Sequence, residues 1–271
     1  MPELPEVEIT RRGIEPFIRG EAATGAVVRE PRLRWLVPSD LAASMTGQRV
    51  EQVLRRGKYI LVEFGNGWLI LHLGMSGSLR VIEPALMPEK HDHVDLQFGR
   101  YALRLRDPRR FGAVLWHEGP PDTHPLLASL GVEPLSADFS GAFLHSATRS
   151  RDIGIKQLLM NHTVVVGVGN IYASESLFRA GIHPRLRASR LSRERCATLV
   201  EAVRDTLRAA LDAGGSSLRD FVHSDGSAGY FQQQYFVYDR ADQPCRACGT
   251  AVKTVRMGQR STFFCPGCQK R

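Results

Sequence analysis

The chain has 271 residues, 43% hydrophobic and 24% charged, which excludes a disordered polypeptide and allows about two domains of roughly 150 residues. Lysine and arginine, 36 in all, outnumber the 28 acidic residues, and the net charge of +8 favours a polyanionic partner. No apolar run approaches the ~20 residues that span a bilayer, and the acidic, proline-broken N-terminus lacks the chemistry of a signal peptide. We therefore expect no membrane association.

The N-terminal half predicts one helix followed by short strands. Pro5 can open a helix, and apolar residues at helical spacing, Phe17 and Ile18 among them, continue it toward Gly20. Short β-rich runs separated by turn signals follow: Lys58–Phe64, Trp68–Leu73, Ser78–Ile82, Val94–Phe98, Tyr101–Leu105 and Ala113–Trp116. Six short strands at this spacing predict an antiparallel sandwich or barrel. Prolines between positions 120 and 134 then indicate a connection between domains.

The C-terminal half is predicted to be helical, and it carries the excess positive charge. Residues 1–132 hold 17 basic and 16 acidic side chains, whereas residues 133–271 hold 19 and 12. Three candidate helices follow one another: Ile155–Met160, Ile171–Ala180 and Ser192–Ala213. In the last, Ser192 is the expected N-cap, and Cys196 lies on the apolar stripe, which makes it a core residue rather than a nucleophile. Residues from about Ser216 to Tyr230 predict a mobile loop.

Four of the five cysteines share the spacing Cys-x2-Cys-x16-Cys-x2-Cys: Cys245, Cys248, Cys265 and Cys268. Four thiolates in two such pairs predict one structural Zn²⁺ ion with no open coordination position for catalysis. The stretch Ala251–Phe264 alternates like a β-hairpin and would present three basic side chains to phosphates: Lys253, Arg256 and Arg260. Cysteines used in this way indicate a reducing compartment, and we expect the cytoplasm.

A glycine-containing turn precedes the second candidate helix. Gly167 and Gly169 follow an apolar run, and Asn170 is the expected N-cap of the helix. The free amides at such a helix start can bind a phosphate, and Lys156 lies one short helix upstream to add charge. The same turn also fits a helix–turn–helix packed for purely structural reasons, but the basic surroundings favour phosphate binding.

The N-terminus is a candidate nucleophile. Removal of the initiator methionine before Pro2 would leave a secondary amine whose pKa, near ~8, gives an unprotonated fraction at neutral pH. Its attack on a sugar carbon yields an iminium ion directly, and the carboxylates of Glu3 and Glu6 could shuttle protons there. On composition alone, an ordinary solvated chain end is the favoured interpretation of these residues.

Four segments occur in order and precede the cysteine finger with its Gln259-Arg260 pair: Met1–Glu8, His72–Gly77, Asp107–Gly112 and Val166–Tyr172. Together they resemble the formamidopyrimidine-DNA glycosylase family of bacterial 8-oxoguanine repair enzymes, along the whole chain from Pro2 to Cys268. The resemblance implies an α+β protein in three parts. These are an N-terminal antiparallel β-sandwich with flanking helices, a helical helix-two-turn-helix domain with a lesion-capping loop, and a zinc β-hairpin finger: residues 1–132, 133–230 and 231–271.

The resemblance also implies an activity. The protein would be a bifunctional DNA glycosylase and AP lyase of base-excision repair that removes oxidised purines, namely 8-oxoguanine and formamidopyrimidines, by base flipping. It would form a Schiff base and complete β,δ-elimination. Its partner would be double-stranded DNA containing oxidised bases or abasic sites, bound by a monomer in the bacterial cytoplasm in association with the nucleoid.

Residue by residue, the resemblance implies five catalytic positions. Pro2 would be the nucleophile, Glu3 the proton donor or acceptor for base loss and ring opening, and Glu6 its support. Lys58 would contact phosphate and transfer a proton in β-elimination, and Arg260 would serve δ-elimination. The implied DNA contacts are His91, Arg109, Arg151, Lys156 and Asn170. The residues implied to fill the gap left by the extruded nucleotide are Met75, Arg109 and Phe111.

The chain has only five lysines among its 36 basic residues, which suggests a further hypothesis: lysine is kept where the side chain must transfer a proton, as at Lys58.

Two alternatives to the implied function stay open. One is the endonuclease VIII branch, which prefers oxidised pyrimidines; Leu4 and the intact gap-filling residues favour the purine branch. The other is a non-catalytic zinc-finger DNA-binding protein. The resemblance implies that residues Arg219–Tyr230 form the loop that covers the flipped base, and this loop varies most, so the sequence predicts lesion preference least well.

Overall fold

A computed structural model of the protein describes residues 2–214 and 235–271. These residues form two compact units, residues 2–129 with 211–214 and residues 130–210 with 235–271. Within the described ranges, no helix is both long and apolar enough to cross a membrane. The loop predicted over Ser216–Tyr230, including the lesion-capping positions Arg219–Tyr230, lies outside the described residues.

The first unit contains eight strands in two antiparallel four-stranded sheets: β1 (Gly25–Val28), β2 (Val50–Arg56), β3 (Tyr59–Phe64), β4 (Gly67–His72), β5 (Ser78–Ile82), β6 (Asp92–Phe98), β7 (Tyr101–Arg106) and β8 (Ala113–His117). The strand orders are β1-β6-β7-β5 and β2-β3-β4-β8. The six predicted strands are present with ends shifted by at most two residues. Strands β1 and β2 were not predicted, because β1 is short and half exposed and β2 buries only Val50 and Val53.

Three helices accompany these strands: α1 (Leu4–Ile18), α2 (Leu41–Met45) and α3 (Pro125–Ala128). Buried residues of both sheets and of α1 form one continuous apolar core, so the predicted sandwich is confirmed. Helix α1 begins at Leu4, one residue before the expected Pro5, which lies in its first turn, and it buries Val7, Ile14 and Ile18. Phe17, which the spacing placed on the same face, is instead exposed and packs edge-on against the ring of Tyr101 at 5.0 Å.

A buried ion pair links strands β6 and β7. Arg104, whose residue is 1% exposed, donates two hydrogen bonds to the Asp95 carboxylate at 2.8 and 2.7 Å, and Arg29 donates a third at 2.5 Å. Burial of Asp95 disfavours its charge, but the hydrogen bonds from Arg104 and Arg29 outweigh burial and hold its pKa below the usual value. The pair therefore stabilises the folded state only while Asp95 is ionised.

Replacing Asp95 with alanine should lower the free energy of unfolding by about 3–5 kcal/mol, because the buried Arg104 guanidinium loses its hydrogen-bonded carboxylate and keeps only the Asp92 carboxylate at 3.7 Å. Because the folded-state pKa is depressed, the wild-type advantage is present above the unfolded pKa near ~3.9 and is lost as pH falls through the folded value. Urea unfolding at several pH values measures both effects. The exposed Asp122→Ala variant is the control, and an equal loss in both variants would contradict the prediction.

The second unit is built from helices and one hairpin: α4 (Gly141–Arg149), α5 (Ile155–Leu159), α6 (Asn170–Arg179), the first part of α7 (Arg193–Asp212), β9 (Lys253–Met257) and β10 (Arg260–Phe264). The predicted cap of α7 is confirmed, since the Ser192 hydroxyl accepts a hydrogen bond from the Arg195 amide at 3.2 Å. Cys196 is fully buried on the apolar face of α7, and burial raises the pKa of its thiol. Helix α4, capped by Ser140, was not predicted.

Candidate functional site

The start of α1 places two buried carboxyl groups beside Pro2. Glu3 is the N-cap, Glu6 lies three residues later, and the two residues form a capping box. The Glu6 carboxylate accepts a hydrogen bond from the Glu3 amide at 2.8 Å, and Pro2, Glu3 and Glu6 are all buried. Carboxylates are stabilised at a helix N-terminus by the helix dipole. The predicted nucleophile therefore directly precedes groups that can exchange protons.

Lys58 lies in the two-residue turn between β2 and β3. The preceding Gly57 adopts φ +57°, a conformation that glycine takes without steric cost. Arg55 anchors this turn, because its guanidinium donates to the Gly57 carbonyl at 2.9 Å and lies 3.3 Å from the Glu8 carboxylate. Glu8 belongs to α1. The turn that carries Lys58 is thus tied to the same helix that begins at Glu3.

Met75, Arg109 and Phe111 are brought together at two turns in direct contact. Gly74 adopts φ +65°, and a Cβ atom at this position would lie only 2.5 Å from the Phe111 carbonyl carbon. The Arg109 guanidinium lies 5.1 Å from the centre of the Phe111 ring. Phe111 is 41% exposed, so it is not a core residue. The gap-filling role that the resemblance implies for these three residues stays a prediction.

Asp107 organises the turn that carries Arg109 and Phe111. Its fully buried carboxylate accepts hydrogen bonds from the Gly112 amide at 2.7 Å and from the Arg109 amide at 3.3 Å. Its own amide donates to the carbonyl of His91 at 3.0 Å, which joins His91 to the same cluster. Sequence reasoning quoted Asp107 but gave it no role. An aspartate opening an Asp-Pro turn was the available signal.

His72 holds the neighbouring turn. Its Nδ1 atom accepts a hydrogen bond from the Gly74 amide at 3.0 Å, and its ring lies 4.8 Å from that of Tyr59. Burial lowers the pKa of His72 to about 4, and the positive charges of Lys58 and Arg34 act in the same direction. The imidazole is therefore neutral at physiological pH and carries its proton on Nε2. His72 belongs to a segment that the sequence analysis singled out, but it was given no role there, because that role depends on burial.

Gly74→Ala should destabilise the protein more than an ordinary glycine substitution. The new Cβ would need positive φ and would overlap the Phe111 backbone, at a cost of about 2–4 kcal/mol. Gly99 is the matched control, since it has φ +64° but no atom within 4 Å of a Cβ, and Gly99→Ala should cost about 1–2 kcal/mol. Chemical unfolding measures both values, and equal losses would show that the two turns do not constrain each other.

In the second unit, Lys156, Asn170 and the finger strand β10 converge. The Lys156 ammonium donates to the Asn170 side-chain oxygen at 2.7 Å and to the Thr262 hydroxyl at 2.9 Å, and the Asn170 amide donates to the Ser261 carbonyl at 3.1 Å. Lys156 is 1% exposed, which differs from the expectation that it adds an accessible charge. A buried ammonium needs several oxygen acceptors, and these residues supply them. Arg260 directly precedes Ser261.

The expected N-cap of α6 is wrong by one residue. Gly169 is the N-cap, with extended backbone, and Asn170 is the first helical residue. The Asn170 side chain does not cap the helix but accepts a hydrogen bond from the Lys156 ammonium. Gly167 adopts φ +79° in the preceding turn, as a tight turn requires. Arg151, half-buried, follows α4 on the segment leading to α5.

The four finger cysteines form a metal-binding cluster. Their Sγ atoms all lie within 4.8 Å of one another, with 3.9 Å between Cys245 and Cys268 and 3.4 Å between Cys248 and Cys265. Tetrahedral Zn²⁺ with ~2.3 Å bonds separates its sulfur ligands by ~3.8 Å, so the residues fit this ion. A Cβ at Gly267 would lie 3.0 Å from the Cys248 Sγ atom, which explains the glycine in this knuckle. Four thiolates give the zinc a structural role.

The zinc cluster supports a short β-hairpin. Strands β9 and β10 pair antiparallel, with Lys253 opposite Phe264 at one end and Met257 opposite Arg260 at the other. Gly258 lies in the turn between them and adopts φ +57°. The predicted basic side chains are all exposed on the hairpin: Lys253, Arg256 and Arg260. The expectation of a zinc-held hairpin is confirmed.

Glu175, on α6, attaches the finger to the helices. Its buried carboxylate accepts hydrogen bonds from the amides of Phe236, Val237 and Tyr238 at 2.9, 3.0 and 2.9 Å. The Phe178 ring stacks on that of Phe236 at 5.1 Å and extends this attachment. Sequence reasoning missed Glu175 because its partners lie 61 to 63 residues away.

Comparisons with known proteins agree with this architecture. Three family models match in order: the formamidopyrimidine-DNA glycosylase N-terminal domain, its H2TH domain, and a zinc finger found in FPG and IleRS, at residues 1–114, 130–222 and 242–271. A formamidopyrimidine-DNA glycosylase of Aromatoleum aromaticum is 61% identical over 271 residues, which is 100% of both chains.

Two solved structures are similar over the full length. One is a complex between Lactococcus lactis Fpg and DNA containing an abasic site, with a TM-score of 0.91, 33% identity, and coverage of 99% of this chain and 100% of that one. The other is MutM in complex with DNA containing carbocyclic 8-oxo-G, with a TM-score of 0.91, 33% identity and full coverage of both chains.

A β-sandwich preceded by an N-terminal proline helix, a helix-two-turn-helix and a four-cysteine finger together define a class of zinc-finger DNA glycosylases. The 61% identity over the whole chain makes the assignment specific. The chain belongs to the formamidopyrimidine-DNA glycosylase family.

Proposed function

We propose that the protein is a bifunctional DNA glycosylase and AP lyase that removes oxidised purines from double-stranded DNA. The observation that carries this proposal is the N-terminal site, where Pro2 precedes the buried carboxyl pair Glu3 and Glu6 in a chain of this family. The relatives bound to DNA with 8-oxo-G or an abasic site support the same substrate class. The four cysteines would hold one structural zinc ion.

The proposed chemistry begins with the Pro2 nitrogen, once Met1 is removed. The amine attacks the anomeric carbon of the damaged nucleoside as the glycosidic bond breaks, and the base leaves with a proton. The C1′–O4′ bond then opens as O4′ takes a proton, which gives the iminium, and the iminium acidifies the neighbouring C2′ position. Glu3, supported by Glu6, would move the protons for base loss and ring opening. Lys58 would assist β-elimination of the 3′ phosphate, and Arg260 on the finger would assist δ-elimination.

DNA binding would use both units. Met75, Arg109 and Phe111 would fill the space left by the extruded nucleotide, with the Arg109 fork facing the orphaned base. The remaining proposed contacts are His91, Arg151, Lys156 and Asn170. Lys156 would act mainly by positioning Asn170 and β10, since its ammonium is buried between them.

We also propose the three-part division at residues 1–132, 133–230 and 231–271, and a monomer that works in the bacterial cytoplasm in association with the nucleoid. The family models support a division into sandwich, helix-two-turn-helix and finger. The net charge of +8, concentrated after residue 132, supports a polyanionic partner.

Matched duplexes carrying 8-oxoguanine or thymine glycol test the proposed function. We expect faster base release and more borohydride-trapped covalent complex with 8-oxoguanine. Faster cutting of thymine glycol would assign the protein to the endonuclease VIII branch instead. Binding without cleavage or trapping on either duplex would indicate a non-catalytic DNA-binding protein.

Lys58→Arg should slow strand nicking by about 10–100-fold, because guanidinium keeps the positive charge but does not release a proton at neutral pH. DNA affinity should change little, because the positive charge that attracts phosphate is kept. The exposed Lys90→Arg variant in the same unit is the control. Full rates of base release and nicking in Lys58→Arg would refute the proton-transfer role. Single-turnover assays on lesion and preformed abasic duplexes separate the two steps.

A further inference from the structure

A second basic surface lies in the second unit, and none of its lining residues has been assigned a role above. A groove of about 580 Å³ is lined by five arginines and one leucine: Arg185, Leu186, Arg187, Arg190, Arg195 and Arg271. No acidic side chain is among its lining residues. Four of the arginines are exposed and Arg195 is half-buried, so their guanidinium groups are available to a ligand.

The positive charge of this groove is poorly compensated. Among the described residues, one arginine of the groove forms an ion pair. Arg187 lies 3.3 Å from the Asp152 carboxylate, and both side chains are more than half exposed. Such an exposed pair contributes little to stability. Burial together with the charges of Arg271 and Arg185 lowers the pKa of the neighbouring His183. The arginines thus create a positive potential that an anion would neutralise.

The groove is part of the folded framework rather than a loose loop. The Ala188 amide donates to the Ile153 carbonyl at 2.8 Å, and the Ile155 amide donates to the Leu186 carbonyl at 2.8 Å. Arg195 donates from its guanidinium to the Lys270 carbonyl at 3.1 Å, which fixes the C-terminal side of the groove. The arginines are therefore held close together despite their mutual repulsion.

The groove adjoins the segment that carries proposed DNA contacts. Arg187 pairs with Gly154 in an isolated β-bridge, and Gly154 lies three residues after Arg151 in the chain. On its other side, a Cβ at Gly154 would lie 2.7 Å from the methyl carbon of Met257 at the end of β9, in the hairpin that carries Arg260. The basic groove thus continues the surface on which Arg151 and the finger hairpin lie.

We propose that this groove binds backbone phosphates of the duplex that flanks the lesion, and so extends the DNA footprint beyond the contacts that position the damaged nucleotide. Guanidinium groups bind phosphate oxygens through paired hydrogen bonds, and each neutralised phosphate releases counterions. The groove contacts would be independent of sequence. The inference rests on the proposed DNA-repair function.

The test compares two triple variants that remove the same charge. The groove variant is Arg185→Gln, Arg187→Gln and Arg190→Gln, and the control is Arg19→Gln, Arg49→Gln and Arg100→Gln, three exposed arginines of the first unit. Affinity is measured over a range of salt concentrations for duplexes with a central tetrahydrofuran abasic analogue, ~12 or ~30 base pairs long, about one or three helical turns.

For the groove variant we expect about tenfold weaker binding to the long duplex near physiological salt, and a slope of log affinity against log salt reduced by about 2–3. Binding to the short duplex should be unchanged, and the control should match the wild type on both. Unchanged affinity for the long duplex, equal loss on the short one, or an equal loss in the control would each overturn the proposal. The first outcome would favour an acidic protein partner.

Two further measurements keep the result decisive. Excision of 8-oxoguanine from the short duplex by the wild type tests the proposed function separately, because it does not require the groove. The unfolding midpoint and zinc content report whether the triple variant is folded. If it is not, the double variant Arg190→Gln and Arg271→Gln, which changes two exposed side chains, should give the same length-dependent loss, and its absence would overturn the proposal.

Discussion

Replacing Pro2 with glycine is expected to slow release of the damaged base by about 100-fold or more in single-turnover assays, with little change in DNA affinity. The secondary amine of proline forms an iminium ion directly, whereas the primary amine of glycine forms an imine that must first gain a proton. The helix start, with Glu3 and Glu6, should be unaffected. Peptide mapping of the borohydride-reduced complex should place the sugar adduct on the peptide that begins at Pro2.

Pro5→Ala is the matched control. It replaces a proline of the same segment, in the first turn of α1, but Pro5 does not supply the terminal amine. It should keep the wild-type rate of base release. A normal rate in Pro2→Gly would exclude the proposed nucleophile. Mass spectrometry that finds Met1 on the fully active enzyme would exclude it too, since Pro2 would then have no free amine.

Zinc removal is the second change with a large expected effect. Chelation, or Cys265→Ser, should release the ion and lower DNA affinity by about 100-fold or more. Structural zinc contributes on the order of 10 kcal/mol to the folding of isolated fingers. The loss should extend beyond the finger, because Thr262 of β10 accepts from Lys156 and Ser261 accepts from Asn170.

Cys196→Ala provides the control for the zinc experiment. Cys196 is the cysteine buried in α7, outside the finger, so this variant should keep one zinc ion and near-normal DNA affinity. Metal analysis and DNA titration measure both quantities. If the chelated protein bound lesion duplex as tightly as the zinc-loaded protein, the finger would not contribute to the DNA interface.

The features predictable from sequence were those with local signals. The cysteine spacing, the glycine turn and the strands with several buried residues all depend on neighbours in the chain, and each is present. Strand β2 escaped prediction because it buries Val50 and Val53 at a spacing of three, which does not match strand alternation. The predicted N-cap of α6 was wrong by one residue, because Gly169 and Asn170 are both residue types that favour the N-cap position.

The features that could not be predicted depend on distant partners. Lys156 appeared to be a surface charge, but its acceptor Thr262 lies 106 residues away. Glu175 and His72 gain their roles from burial, which a single sequence does not report. Asp107 is different, because its partners Arg109 and Gly112 are local and the motif was visible. Its function as the support of the turn could have been proposed from sequence.

The Lys156 contacts make the finger inseparable from the helices that precede it. A finger transplanted from a relative would bring its own side chain at position 262, but it would meet the host's side chains at 156 and 170. The contact at position 261 uses the main-chain carbonyl, which any residue supplies. We therefore expect chimaeric proteins to be most stable when positions 156, 170 and 262 are exchanged together. In evolution, the same constraint should appear as correlated substitution between chain segments about a hundred residues apart, specifically 106 for Lys156 and Thr262.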